Sequence, residues 1–440
     1  MSTAQPSPIV RLFRECEPNV SLHPDDPRYV DFDAVRGDGV IQVYARSLRR
    51  ADPSRPEVKL LAGHMGSGKT SELYRLKAEL EKKTADSRPF LVLYLDVTEK
   101  LDANDLDFPD LLVFLAAELQ SQLKDAGIPG FSAVSTRLGD LWNEFKSTLQ
   151  GSVKVTGAEA ELPFGSVSLE FRNRPTSRGE LRHAIEAQST RLLEAVNDLI
   201  DLALAAVRKA GKEGLVLLVD GLDKMVRRPL DDGTSNTHDR LFLDRREQLA
   251  SLRAHVVYTV PINVLYSARC AQLEQAFGEH SLMIPMIRLR GGARSEIEAG
   301  NPGVAKMIEM LERRCKNADV DCADAFVEGV PAYLVEMSGG HPRHLMMFVQ
   351  SALNELDALP ITLEAAQKAV QKYGNSLRRS VSDRAWGQLG FFATPQTEIP
   401  KDDLHQEMLY NLWVFEYMNG EPWWEVNPVL RTLDRFRASS

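Results

Sequence analysis

One eight-residue stretch constrains this chain more than any other. Residues 63–70 read GHMGSGKT and meet the pattern GxxxxGK[ST] in full. The run VKLLA precedes them and the amphipathic run SELYRLKAELEKK follows. A strand, a glycine-rich loop and a helix in that order form a phosphate cradle. The glycines let backbone N–H groups curl around an anion, and the helix N-terminus adds partial positive charge. Lys69 is placed to reach terminal phosphates, and the Thr70 hydroxyl to ligate Mg²⁺. The expected binding set is Gly63, Gly66, Ser67, Gly68, Lys69, Thr70 and Ser71. The ligands it implies are ATP and Mg²⁺.

Such a loop needs a sheet behind it. Four further apolar runs supply one: PFLVLYLDV (89–97), GLVLLVDG (214–221), HVVYTVP (255–261) and LMIPMIRL (282–289). Near-continuous Leu and β-branched runs alternating with helices predict a parallel sheet covered on both faces. The gap between the second and third runs is long. It predicts a helix capped by Asp107 with Pro109 in its first turn, ended by Gly127, then a hairpin over 152–171 and a helix over 179–210. After Gly303 the chain reads all-helical, and Asn419-Gly420 between alternating runs signals a hairpin. The expected fold class is therefore α/β: a parallel-sheet P-loop core with a helical lid and a C-terminal winged helix. The expected parts are an irregular arm (1–56), the core (57–300, with an insertion at 100–212), the lid (301–375) and the winged helix (376–440).

The third run ends in an acid, Asp220, followed by Gly221, Leu222, Asp223 and Lys224. Asp220 suits holding Mg²⁺ beside Thr70. Many such sites place a glutamate directly after that aspartate, to polarise the attacking water. Here the position is Gly221. Asp223 is the remaining carboxylate within reach of that step, whether as base or as a surface turn residue. The reading predicts slow turnover.

Composition narrows the class further. The 440 residues carry a formal net charge of −9, which argues against a protein that coats nucleic acid or anionic membrane. Cys16, Cys270, Cys315 and Cys322 form no CxxC pair and no metal-ligand spacing, so reduced thiols in a cytoplasm are expected. The N-terminal residues lack the pattern of a secretory leader, and no apolar run approaches ~18 residues, so no membrane partner is expected.

Together the glycine-rich loop, LLVDGLDK, the Thr-ended strand VVYTV, SGGHPRHL and the terminal hairpin resemble the STAND and Orc/Cdc6-like branches of the AAA+ ATPases. The resemblance implies roles for further residues. Arg36, in VRGD, lies where a box contacts adenine. Thr259 matches the residue that reads the γ-phosphate. Pro342 matches a lid proline that packs on adenine, and Arg343 a lid arginine that reaches the phosphates. Arg269 lies where an arginine finger is offered to a neighbouring subunit. Lys224 and Val260-Pro261 depart from the family pattern, and both count against rapid hydrolysis.

The resemblance implies an ATP-controlled conformational switch or assembly platform. It implies a homo-oligomer and a separate effector or sensor protein, with bacterial antiphage defence as the setting. Two rivals stand beside it: a DNA-loading or transposition-type regulator, and a nucleotide-bound scaffold that never turns over. DNA is the less favoured partner. Period-two alternation is expected to put Trp413, Phe415 and Tyr417 on one face with Trp424 and Val426, leaving Glu416, Glu421 and Glu425 on a face that phosphates would repel. The helix read from KDDLHQEMLYN is acidic too.

Overall fold

The computed structural model describes residues 6–127, 136, 186–187 and 189–437, apart from 38, 53, 231–234, 279–281, 294 and 298–299. The hairpin expected at 152–171 lies outside the described residues. So do Asp38 of VRGD and the first turns of the expected 179–210 helix.

Five parallel strands form the main sheet: β1 (Val58–Gly63), β2 (Leu91–Asp96), β3 (Leu215–Asp220), β4 (His255–Thr259) and β5 (Leu282–Ile284), in the order β2-β3-β4-β1-β5. Every residue of β1, β3 and β4 is buried, as continuous apolar runs require of strands covered on both faces. The period-two alternation of β3 sorts its side chains. Val216 and Leu218 pack with Ile41, Tyr44, Leu73 and Leu76 of helices Val40–Arg50 and Lys69–Leu80. Leu215, Leu217 and Val219 pack in the larger core, which includes helices Phe108–Asp125 and Ser189–Lys209. These two helices lie within the expected insertion (100–212), near its two ends, and cover one face of the sheet.

Local rules explain both. Asp107 and Asp110 close a reciprocal capping box with proline in the first turn, and Gly127 follows at φ 62°. Helix Ser189–Lys209 turns Leu192, Val196, Leu199, Ile200, Ala203 and Val207 inward, one stripe at three- and four-residue steps. Each of the larger apolar side chains contributes about 1.5–3 kcal/mol on burial.

The N-terminal arm is less irregular than expected. Helix Pro8–Glu15 starts on proline and buries Leu12, and Cys16 follows fully buried. Both pack among lid residues such as Leu311, Leu345 and Val349. The helix is too short to be stable alone, so tertiary docking rather than propensity sets it. The lid comprises helices Pro302–Asn317, Cys322–Ala325, Val330–Ser338, Pro342–Leu353 and Leu363–Ser380.

The winged helix contains helices Asp383–Leu389 and Asp403–Tyr410 and the antiparallel hairpin β6 (Val414–Asn419) and β7 (Glu421–Val426). The register corrects the expected faces. Glu416 lies opposite Trp424, and Phe415 opposite Glu425, so Trp424 shares a face with Glu416 and not with Phe415. Both faces are covered. Phe415, Tyr417 and Trp423 pack on Met286, and Val414, Trp424 and Val426 join the main core. Glu416 and Glu425 are buried, not presented to solvent. When both faces of a strand are buried, alternation no longer tells which residues face out.

Candidate functional site

Parallel strands aim their C-terminal ends at one edge of the sheet, and the chemistry-bearing residues collect there. The glycine-rich loop leaves β1, Asp220 ends β3 and Thr259 ends β4. The Thr70 hydroxyl donates to Asp220 Oδ2 at 2.6 Å, and Tyr94 Oη donates to the same oxygen at 2.8 Å. The Gly221 N–H donates to the other oxygen at 2.8 Å. Asp220 is almost wholly buried, and burial, with Asp223 adding like charge, raises its pKa. A hydroxyl and a carboxylate at hydrogen-bond distance are two hard oxygen donors. That pair suits Mg²⁺, which takes few protein ligands and completes its shell with phosphate and water.

Lys69 Nζ sits 2.8 Å from Asp223 Oδ2 and donates to the carbonyls of Gly63 and His64, each at 2.8 Å. Asp223 Oδ1 and Thr259 Oγ1 are buried without hydrogen-bond partners. Unsatisfied buried oxygens are costly, and they mark where a ligand or water completes the arrangement.

Gly221 explains the missing glutamate. Its φ is +88°, and a Cβ there would lie 2.7 Å from Thr98 Cγ2 and 2.8 Å from Asp96 Oδ1. Any side chain at this position collides with the end of β2. A glutamate there is strained at positive φ and displaces the Thr98 and Asp96 side chains.

The lid closes over the loop. His341 caps helix Pro342–Leu353 by accepting from the His344 N–H, and its Nε2 meets the Met65 carbonyl at 2.9 Å. These partners assign Nε2 as the protonated nitrogen. A Cβ on Gly66 would fall 2.8 Å from His341 Cε1 and 3.0 Å from Arg343 Cδ, so lid and loop are in close contact. Arg343 Nε is buried without a hydrogen-bond partner; burial lowers the Arg343 pKa and Asp223 opposes that. The winged helix reaches the loop from the other side. His64 Nδ1 bonds the Leu409 carbonyl at 3.1 Å, and the Glu416 N–H donates to His64 Nε2 at 3.0 Å. Burial holds His64 and His341 down at about 3, so both are neutral. Their role is geometric: they fasten the phosphate loop to the lid and to the winged helix.

A cleft of about 890 Å³, open mouth included, runs between loop, lid and arm. Met65 through Glu72 with Asp223 and Arg343 line its phosphate end, and Tyr29, Phe32, Met310, Arg314, Pro342 and Met346 line the rest. Its lining, a glycine-rich loop with Lys69 and Arg343 at one end and Tyr29, Phe32 and Pro342 at the other, suits a nucleotide. Arg36 is buried beneath the loop, 3.4 Å from Glu72 and over the Phe32 ring at 5.2 Å. Burial lowers its pKa.

Among the expected residues, Gly66 through Ser71, Arg36, Asp223, Pro342 and Arg343 border this cleft, whereas Gly63, Asp220 and Thr259 do not line it. Arg269 stands apart from it, half-exposed and paired with Asp244 at 2.8 Å and with Gln272. Sequence reasoning missed Tyr94, His64 and the wall from Glu17 to Phe32. Tyr94 was legible in principle, two residues before the strand end that registers with Asp220. The wall carried no motif.

No protein-family model matches the chain, and no curated protein does. Solved structures do. The chain is similar to the Walker-type ATPase PABY2304 of Pyrococcus abyssi, at 16% identity and TM-score 0.45, over 96% of this chain and 99% of that one. It is similar to Cdc6p from Pyrobaculum aerophilum, at 11% identity and TM-score 0.42, over 97% of each chain. It is also similar to the ADP form of the Aeropyrum pernix ORC2 protein, at 12% identity and TM-score 0.43, over 97% of this chain and 96% of that one. The chain's own sheet order, loop, lid and winged helix carry the chemistry argued below.

Proposed function

We propose that this protein binds ATP with Mg²⁺, hydrolyses it slowly and works as a nucleotide-controlled conformational switch or platform for a separate effector. One observation carries the reading. The phosphate-loop lysine is held by an internal carboxylate, Asp223, under a lid and a winged helix that both bond the same loop. A triphosphate in the cleft competes with Asp223 for Lys69. Lys69 turns to the terminal phosphates, and Asp223 is released as the carboxylate available to orient water. Thr70 and Asp220 are the residues that would hold Mg²⁺, which supplies charge neutralisation at the phosphates. Arg343 and Pro342 bring the lid into the same contact. A ligand that binds one lid geometry better than another shifts the population of both. Slow turnover follows from Gly221, where a glutamate is strained.

The winged helix supports this reading over DNA loading. Helix Asp403–Tyr410 is seated against the core: Gln406 Nε2 donates to the Tyr266 carbonyl at 3.2 Å and Tyr410 Oη to the Met225 carbonyl at 2.8 Å. What it leaves outside is mainly acidic, Asp402, Asp403 and Glu407, and phosphates would be repelled there. Among the described residues no helix is long and apolar enough to cross a membrane.

The test is steady-state and single-turnover ATP hydrolysis across a range of protein concentrations, with Lys69→Ala as control. The switch reading expects a slow, flat rate per subunit, retained ATP and no binding in the control. A rate that climbs with concentration would replace the self-contained site by one completed by a neighbour. Salt-dependent DNA binding by the intact protein would favour the DNA-loading reading.

A further inference from the structure

Three of the four cysteines gather at one end of the lid, Cys16 from the N-terminal arm and Cys315 and Cys322 from the lid itself. Cys315 closes helix Pro302–Asn317 and Cys322 opens helix Cys322–Ala325, and their sulfurs share a hydrogen bond at 3.1 Å. Cys16 lies close enough to perturb Cys315 and to be perturbed by Cys322. The chain between the pair turns through Asp319 in the left-handed region, at φ 54°. Nothing in the nucleotide reading uses these thiols.

We propose that Cys315 and Cys322 are an oxidisable dithiol, a modification site that reacts with hydroperoxides and closes to a reversible disulfide. Closing the bond needs the sulfurs to approach by about 1 Å. The two thiols differ in ways that assign their parts. Both border a cleft lined by Glu312, Lys316, Asp319 and Asp321, where Cys322 is partly exposed and Cys315 is buried. The bond the two sulfurs share, with Cys315 as donor once Cys322 ionises, lowers the Cys322 pKa, and with burial it raises that of Cys315. Cys322 is the attacking thiolate. It takes the distal oxygen of the hydroperoxide, breaking the O–O bond, to give a sulfenic acid and release alcohol or water. Cys315 then attacks that sulfur, its thiol proton leaves with the hydroxyl as water, and the disulfide remains. Burial pushes Cys16 up to about 12, so it stays a thiol and does not compete.

The position gives the bond a consequence. Arg11 Nε and Nη2 donate to the carbonyls of Ala318 and Asp319, at 2.6 and 2.8 Å, and Asn317 bonds Glu15 at 2.8 Å. The turn between the two cysteines is therefore the seat of the N-terminal arm. A disulfide stiffens that seat.

The experiment treats the whole protein with hydrogen peroxide at low excess and maps its thiols by mass spectrometry, with a dimedone-type sulfenic acid trap present. The expected result is a loss of about 2 Da, one peptide cross-linked between residues 315 and 322, and full reversal by a dithiol reductant. Cys315→Ser should leave Cys322 trapped as sulfenic acid, and Cys322→Ser should leave no trapped thiol at Cys315. Both thiols still alkylatable in the wild type, Cys322 over-oxidised without a cross-link, or a bond through Cys16 would each overturn the proposal. None of these readouts depends on nucleotide binding.

Discussion

Glu416 offers the most quantitative test of how the winged helix is held. Its backbone bonds both neighbours: the N–H reaches His64, and the carbonyl accepts from the Met286 N–H at 2.9 Å. Its carboxyl group, 2% exposed, accepts from the Tyr266 hydroxyl. Burial raises its pKa to about 8, with the Tyr266 bond opposing. A folded pKa above the unfolded value of 4.5 means the neutral acid favours the folded form. That stability is complete below the unfolded pKa and is lost as pH rises through 8. Between pH 7 and 9 the folded state gives up nearly one proton that the unfolded chain has already lost, so about 1 kcal/mol should go. The assay is urea unfolding followed by tryptophan fluorescence at both pH values, for wild type and Glu416→Gln. The amide is a neutral isostere, so its pH slope should lack this contribution. Identical slopes in the two proteins would refute the assignment of a neutral buried acid at the docking face.

Three further outcomes follow from the site. Asp223→Asn removes the internal counterion of Lys69; ATP binding should persist or tighten by isothermal titration while single-turnover hydrolysis falls by roughly two to four orders of magnitude, the range for a lost general base. Gly221→Glu should not speed hydrolysis. It should destabilise the fold by about 1–3 kcal/mol, read as a lower urea midpoint, because a side chain there meets Thr98 and Asp96 at positive φ. Arg269→Ala should leave the rate of a monomeric preparation unchanged, since its partners are Asp244 and Gln272, and should lower turnover only where a neighbouring subunit supplies the finger.

Sequence legibility followed the range of the interactions. The phosphate loop was readable because its constraint is local: glycines, a lysine and a threonine at fixed offsets between a strand and a helix. Asp220 was readable because a strand end announces itself. The Asp107 cap and the Asn419-Gly420 turn were likewise short-range, and both are present. The pairing of Lys69 with Asp223 was not readable, because it depends on which strands become neighbours. The faces of the wing were misassigned by one residue between Trp423 and Trp424. Alternation assumes one wet face, and this hairpin has none. Helix Pro8–Glu15 escaped notice because its stability comes from a lid some 300 residues downstream, as the bond from Arg11 to Ala318 spans 307 positions.

The fastening of His64 to Leu409 and Glu416 also sets an order of events during synthesis. The phosphate loop is made early, yet its two partners in the winged helix follow 345 and 352 residues later. At about 5–20 residues per second, the ribosome needs roughly 20–70 s to deliver them. Through that interval a nascent sheet domain carries a loop whose histidine lacks its mates. Nucleotide affinity should therefore mature late, as residues 409–416 emerge, and a ribosome-bound intermediate ending before residue 409 should hold ATP more weakly than one that carries the winged helix.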